Sequence, residues 1–221
     1  MIAVPRILPA WACQVSMYLD EVDASAAAAI PLPWEYMIAP PDRQRAFRAG
    51  RHCAQLALDQ LGWKRTVPGL RDGGGPDWPV GVTGSITHSM ALVCAAAALK
   101  YHCNGIGIDI EPITSLEKAH QLASRAAASP EVFAVMDAAH LDYATAVAVI
   151  IAAKHSLYKC LQPLTGRSFG YLDASIDDVQ AQSGRFHARL KTTLSQRWPA
   201  GTTVGGQLEV SGDFIYTSVY C

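Results

Sequence analysis

The chain has 221 residues, with 18 Lys and Arg against 19 Asp and Glu, a formal net charge of −1, half its residues hydrophobic and 17% charged. About 70% of the unfolded surface can be buried at that length, which excludes a stapled mini-protein, and near-neutral charge with a pI near 6.6 removes the broad basic footprint of a general nucleic-acid binder. The six cysteines show no CxxC pair and no metal-ligand spacing, and they read as reduced, buried thiols.

The opening stretch MIAVPRILPAWAC has one Arg and two prolines where a secretion signal has a charged start and an unbroken apolar run. The longest apolar runs, 90–99 and 144–153, are each about half of the roughly 20 residues that a membrane-spanning helix needs. The expectation is a cytoplasmic protein, off the membrane. Residues 30–41 carry Pro31, Pro33, Pro40 and Pro41 and read as an extended connector. Asp42 is then the predicted N-cap of a helix over 43–61, where Phe47, Ala54, Ala57, Leu58 and Leu61 recur at three- and four-residue steps and Gly62 marks the stop.

Residues 69–84 are crowded with Gly and Pro and read as loop, with short strands at Val80 and Val82. Residues 91–99 form a buried strand or helix, which period alone does not separate. From 106 to 111 the chain alternates, Ile106, Ile108 and Ile110 on one face and Gly107, Asp109 and Glu111 on the other, a half-buried strand ended by Pro112. Residues 116–139 read as helical in pieces, and 141–161 as a longer helix that stops before Pro163. Strands are predicted at 171–176, 186–192, 207–210 and 214–219. Strands and helices neither alternate strictly nor segregate, so the predicted class is α+β.

Four groups of residues could carry chemistry. Asp109 and Glu111 project from one strand face about 7 Å apart at the backbone and could converge on a hard cation such as Mg²⁺; the same alternation is that of a solvated strand face. His88 stands in GSITHS, 84–89, a small-residue stretch whose backbone could approach a ligand, or it is a hydrogen-bonded structural histidine. Helical spacing puts His155 and Lys159 on one side and stacks Lys154 on Tyr158, which makes either a phosphate or proton-transfer site or the cationic end of a helix. Arg43 and Arg51, eight residues and about 12 Å apart along a helix, could grip phosphates or lie on its surface.

These pieces occur in a recognisable order. RQRAFRAGRHCAQLALDQLG (43–62), GPDWPVG (75–81), GSITHS (84–89), GIDIE (107–111), AKHSLYK (153–159) and PLT (163–165) together resemble the 4′-phosphopantetheinyl transferases that activate surfactin and enterobactin synthetases, above all their actinobacterial branch. The resemblance runs over residues 8–176. It implies two similar α+β halves with pseudo-twofold symmetry, 1–108 and 109–221, with coenzyme A in the cleft between them. It also implies the reaction: a serine hydroxyl of an apo acyl or peptidyl carrier protein attacks the β-phosphate of coenzyme A, taking phosphopantetheine and releasing 3′,5′-ADP. On that resemblance Asp109 and Glu111 hold Mg²⁺ or Mn²⁺, and His88 with Thr87 beside it contacts phosphate. Arg43 and Arg51 grip the nucleotide 3′-phosphate. Lys154 and Lys159 match the two lysines of the motif K-E-x-x-x-K, which the resemblance sets against the phosphate and pantetheine of coenzyme A. His155, Glu111 and Lys159 are the implied catalytic set, and the chain is expected to act as a monomer.

Two positions depart from the family. The glutamate of that motif is His155 here, able to accept a proton but a poor Mg²⁺ ligand beside oxygen donors. A lysine common in the glycine-rich loop is Gly73, with Arg71 as its substitute. The first departure leaves an alternative function, a coenzyme A or carrier-protein binding module that has lost efficient transfer.

Overall fold

The computed structural model describes residues 4–89, 91–180 and 182–221. Residues 1–3 of the opening stretch and Met90, which begins the first apolar run, lie outside these. The described residues divide into two compact units, one spanning Leu8–Asn104 and the other Gly105–Cys221 together with residues 4–7.

The first unit contains β1 (Cys13–Tyr18), α1 (Ala24–Ala28), α2 (Trp34–Met37), α3 (Pro41–Gln60), β2 (Gly69–Leu70), β3 (Pro76–Asp77), β4 (Val82–Ser89) and β5 (Leu92–Leu99). The strands β1, β5 and β4 form an antiparallel sheet in that order, with β5 central. Residues 92–98 are buried throughout, which is why the segment is uniformly apolar and why its period could not separate strand from helix. Its small side chains let α3 lie close: Ala49, Cys53 and Ala54 pack on Val93 and Ala95. A Cβ on Gly50 would stand 2.7 Å from Ile86 Cγ2.

Helix α3 starts earlier than Asp42 predicts. Pro40 is the cap and Pro41 opens the first turn, where a fixed φ suits the helix and the missing N–H is not needed. Asp42 then falls inside that turn. The connector over 30–41 is not wholly extended, since α2 follows Pro33, and Val80 is 97% exposed and outside any strand.

The second unit contains β6 (Ile106–Pro112), α4 (Leu116–Ala126), α5 (Ser129–Ala139), α6 (Tyr143–Thr165), a 3₁₀ turn (Tyr171–Asp173), β7 (Ala174–Gln180), β8 (Arg185–Leu190), β9 (Thr203–Ser211) and β10 (Phe214–Tyr220). The sheet order is β6-β10-β9-β8-β7, antiparallel at every pairing. Mixed sheets and helices in both units make the protein α+β, as the sequence predicts.

Helix α6 is capped by Asp142, whose Oδ1 accepts from Thr145 N–H at 3.0 Å. It runs through Pro163 rather than stopping before it. In the last turn proline's φ is helical and only one i→i−4 bond is lost; Gly166, left-handed at φ 65°, then ends the helix. By length and composition α6 could cross a membrane, but nearly all of its apolar residues sit in the core of this unit. The strand expected from 171 begins at Ala174, because Gly170 N–H donates to the Asp173 carboxylate at 2.7 Å and closes a turn.

Candidate active site

The site in the second unit is set by a glycine. On β6, residues 107, 109 and 111 face α6, and a Cβ on Gly107 would lie 1.8 Å from the Ser156 carbonyl oxygen. Only glycine allows the helix backbone to sit directly on the strand here. Ser156 Oγ in turn meets Thr217 Oγ1 at 2.6 Å, and Thr217 on β10 pairs with Asp109 in register. His155 and Lys159, one helical turn apart on either side of this contact, converge on Asp109. Lys159 Nζ donates to Asp109 Oδ1 at 2.6 Å and to Ile108 O at 3.1 Å. His155 Nδ1 lies 3.1 Å from Asp109 Oδ2.

Charge is distributed unevenly over these groups. Asp109 is 4% exposed. Burial alone would raise its pKa, but the Lys159 charge and the His155 hydrogen bond outweigh burial and hold the carboxyl well below its ordinary range. Glu111 goes the other way: burial, then the neighbouring Asp109 charge, push it up against weaker pulls from His155, Lys118 and Lys159. Glu111 makes no salt bridge among the described residues. Behind the imidazole, His155 Nε2 is hydrogen-bonded to the Tyr171 hydroxyl. Burial, with the Glu111 and Asp109 charges, raises Tyr171 to about 12, so it keeps its proton.

Asp109, Glu111 and His155 each offer one ligand atom, all within 4.8 Å of one another. Two opposite ligands at ~2.1 Å from one ion span ~4.2 Å, so small side-chain movements bring the three onto a common centre. Two carboxylates suit a hard divalent ion, and the imidazole adds the donor type preferred by first-row transition ions. The residues present therefore fit a divalent cation.

Lys154 is not part of this cluster. Its ammonium, on a residue 3% exposed, donates to Glu131 Oε2 at 2.9 Å and to Ala126 O at 2.8 Å, while Glu131 Oε1 accepts Ile176 N–H at 2.7 Å. It ties α6 to α4, α5 and β7. Burial lowers its pKa and Glu131 pulls it back up. A cavity of about 210 Å³ beside the cluster is lined by His155, Tyr158, Phe169 and Tyr171, with part of Lys154. Tyr171 escaped the sequence reading because it fell in a segment read as strand; the Gly170-x-x-Asp173 turn was the signal that could have moved it.

The first unit holds a separate pocket of about 920 Å³ whose lining includes Tyr36, Arg43, Phe47, Arg51, Gly74 and His88. Arg51, 5% exposed, lies over the Phe47 ring at 4.7 Å and donates from Nη2 to Gly69 O at 3.1 Å. Its Nε is buried with no hydrogen-bond partner among the described residues, and burial lowers its pKa. Arg43 stacks 5.5 Å over Tyr36. A buried guanidinium with an unused donor is costly unless an anion completes it, so this pocket suits a phosphate-bearing ligand. Arg43, Arg51 and His88 are thus brought together. Thr87 is not: it alternates to the other face of β4 and is buried, whereas His88 is exposed. Arg71 lies in the turn between β2 and β3 with its guanidinium against Gly75, outside the pocket lining.

Comparison with known proteins agrees with this division. Residues 35–98, all in the first unit, match the 4′-phosphopantetheinyl transferase N-terminal domain, and residues 105–213, all in the second, match the 4′-phosphopantetheinyl transferase superfamily. The chain is 35% identical over 187 residues to the 4′-phosphopantetheinyl transferase Npt of Nocardia iowensis, covering 80% of this chain and 82% of the relative. It is 31% identical over 229 residues to PptT of Mycobacterium tuberculosis, covering 98% and 96%, and 31% identical over 218 residues to Svp of Streptomyces mobaraensis, covering 92% and 80%. With similarity at that level over nearly the full length, and with both units matched, the chain belongs to the 4′-phosphopantetheinyl transferase superfamily.

Proposed function

We propose that this protein transfers 4′-phosphopantetheine from coenzyme A to a serine hydroxyl of apo acyl or peptidyl carrier proteins, releasing 3′,5′-ADP. The observation that carries the reading is the convergence of Asp109, Glu111, His155 and Lys159 at one point between β6 and α6. Attack of a hydroxyl on a diphosphate builds negative charge on the phosphoryl oxygens, and catalysis of such transfer is mostly positioning and charge stabilisation. A divalent cation, Mg²⁺ or Mn²⁺, held by Asp109 and Glu111 supplies that stabilisation when bound. Lys159, 30% exposed at its side chain, has an ammonium within reach of the same phosphates, and Glu111 and His155 are the groups at the cluster that can receive the serine proton.

The rest of coenzyme A asks for a second anion site and an apolar channel. Arg43, Arg51 and His88 would take the nucleotide 3′-phosphate, which completes the buried Arg51 guanidinium. The cavity beside Tyr158, Phe169 and Tyr171 would accept the start of the pantetheine arm, an amide-bearing chain with an apolar stem. We place the activity in the cytoplasm, in keeping with six cysteines that read as reduced thiols. Mass spectrometry of an apo carrier protein incubated with the enzyme, coenzyme A and a divalent cation tests the reading. A gain of one phosphopantetheine with release of 3′,5′-ADP is expected; no gain, while a known transferase works in parallel, rejects it.

A further inference from the structure

His155 is surrounded as a ligand is. Lys159 occupies Asp109 Oδ1 at 2.6 Å, which leaves Oδ2 facing His155 Nδ1 at 3.1 Å. Two adjacent ligands of one octahedral ion, each ~2.1 Å from it, stand ~3.0 Å apart, so this pair already has the spacing of neighbouring donors. Glu111 completes the set within 4.8 Å. On the far side of the ring, Nε2 meets the Tyr171 hydroxyl, which can donate or accept. A neutral imidazole carries one ring proton. In the cation-free chain that proton can sit on Nδ1 and be donated to Asp109 Oδ2. In the other tautomer it sits on Nε2 and is donated to Tyr171, and the Nδ1 lone pair points into the space shared with Asp109 Oδ2 and Glu111. Holding the second nitrogen in this way fixes the tautomer and ring orientation of metal-bound histidines.

We infer that His155, with Tyr171 as its positioning residue, is a nitrogen ligand of the divalent cation and biases the site toward Mn²⁺ over Mg²⁺. The inference rests on the reading that Asp109 and Glu111 hold a cation, and it names which one. Mg²⁺ takes oxygen donors and keeps several waters, whereas first-row transition ions accept imidazole and Mn²⁺ accepts both donor types. With its Nδ1 lone pair on the cation and its Nε2 proton held by Tyr171, His155 gives up its capacity to accept the serine proton, which then passes to Glu111 or to water.

The test uses the whole protein labelled with ¹⁵N-histidine, titrated with Mn²⁺ alone and examined by pulsed electron paramagnetic resonance, with Mn²⁺ and Mg²⁺ affinities from calorimetry. Hyperfine coupling to a directly bound nitrogen is expected in the native protein and lost in His155→Gln. Mn²⁺ should bind at least tenfold more tightly than Mg²⁺, and Tyr171→Phe should weaken Mn²⁺ by about tenfold with little change for Mg²⁺. Because the coupling is read on the unmutated chain, a variant that misfolds does not remove the test. Mn²⁺ bound without nitrogen coupling, or coupling that survives His155→Gln, overturns the role of His155 and leaves the carboxylate site standing. Unchanged Mn²⁺ affinity in Tyr171→Phe overturns the role of Tyr171. No Mn²⁺ binding beyond that of Asp109→Asn overturns both the inference and the cation site on which it rests.

Discussion

Lys154 and Lys159 stand five residues apart on α6 and each reaches a buried carboxylate, but the two surroundings are built for different ends. Around Lys154 both partners are sealed, with side chains 3% and 6% exposed, one charge balances one charge, and Glu131 spends its second oxygen on the Ile176 amide. Around Lys159 the carboxylate of Asp109 is as deeply buried, at 6%, yet Lys159 and His155 are 30% and 39% exposed. A second acid, Glu111, lies beside them with its pKa raised. Counting His155 as neutral, two carboxylates face one ammonium. A balanced, closed pair holds elements together, whereas an open cluster with a surplus carboxylate is incomplete without a cation.

That contrast breaks most sharply at Lys154. Removing one partner of a buried pair costs about 3–5 kcal/mol, because the other charge is stranded. Lys154→Met should therefore lower the thermal midpoint by about 10 °C at this chain size, measured by calorimetry. Any protein that remains folded should keep its cation affinity, since Lys154 does not touch Asp109. A large loss of Mn²⁺ affinity with an unchanged midpoint would reverse the roles assigned to the two lysines.

Asp109→Asn is the complementary change. It keeps the shape but removes the charge on which Lys159 and His155 converge, so transfer to a carrier protein should fall at least ~100-fold, equivalent to about 2.7 kcal/mol in the barrier. The midpoint should move less than in Lys154→Met, because Lys159 and His155 can turn to water. Single-turnover assays at saturating coenzyme A measure the first effect. A variant that transfers at the native rate would remove Asp109 from the site.

Why one lysine was legible in the sequence and the other was not follows from the range of the interactions. Asp109 and Glu111 share a face through the period of two of a strand, and His155 and Lys159 share one through the helical turn; both rules are local and both held. Which side of α6 meets the acids is tertiary. It depends on Gly107 admitting Ser156, and on Glu131, 23 residues before Lys154, closing off the other side. The resemblance to the K-E-x-x-x-K motif gives both lysines to the substrate, where helical spacing leaves a cationic helix end equally open. Strand β1 was missed although CQVSMY alternates, with Cys13, Val15 and Met17 packed against the core: it is a six-residue strand at the sheet edge, all of its residues half-buried, and what makes it a strand is its pairing with β5 about 80 residues later. Arg43, Arg51 and His88 were legible only through resemblance, since what joins them is a pocket walled by α3 and β4.

The smallest expected effect is also the most diagnostic, because its sign differs from the others. Glu111 has a raised pKa in the folded chain, so its ionisation opposes folding: the metal-free protein gains stability from this group as pH falls through the raised value toward the ordinary Glu range near 4.3. Asp109 is depressed and behaves oppositely; its contribution is present above the ordinary Asp value near 3.9 and is lost only in stronger acid. The two windows are therefore separate. Glu111→Gln should raise the thermal midpoint of the metal-free protein at neutral pH by a small amount. That difference from the native chain should shrink toward zero on acidification, as native Glu111 takes up its own proton. With Mn²⁺ present the order should invert, since the native carboxylate then has a cation to face and the amide does not. Calorimetric scans of both chains across pH 4.5–8, with chelator and with Mn²⁺, measure the two differences. Glu111→Gln that is less stable than the native protein without metal would mean that the surplus carboxylate is already compensated within the fold, and the open cluster would then be as closed as the one around Lys154.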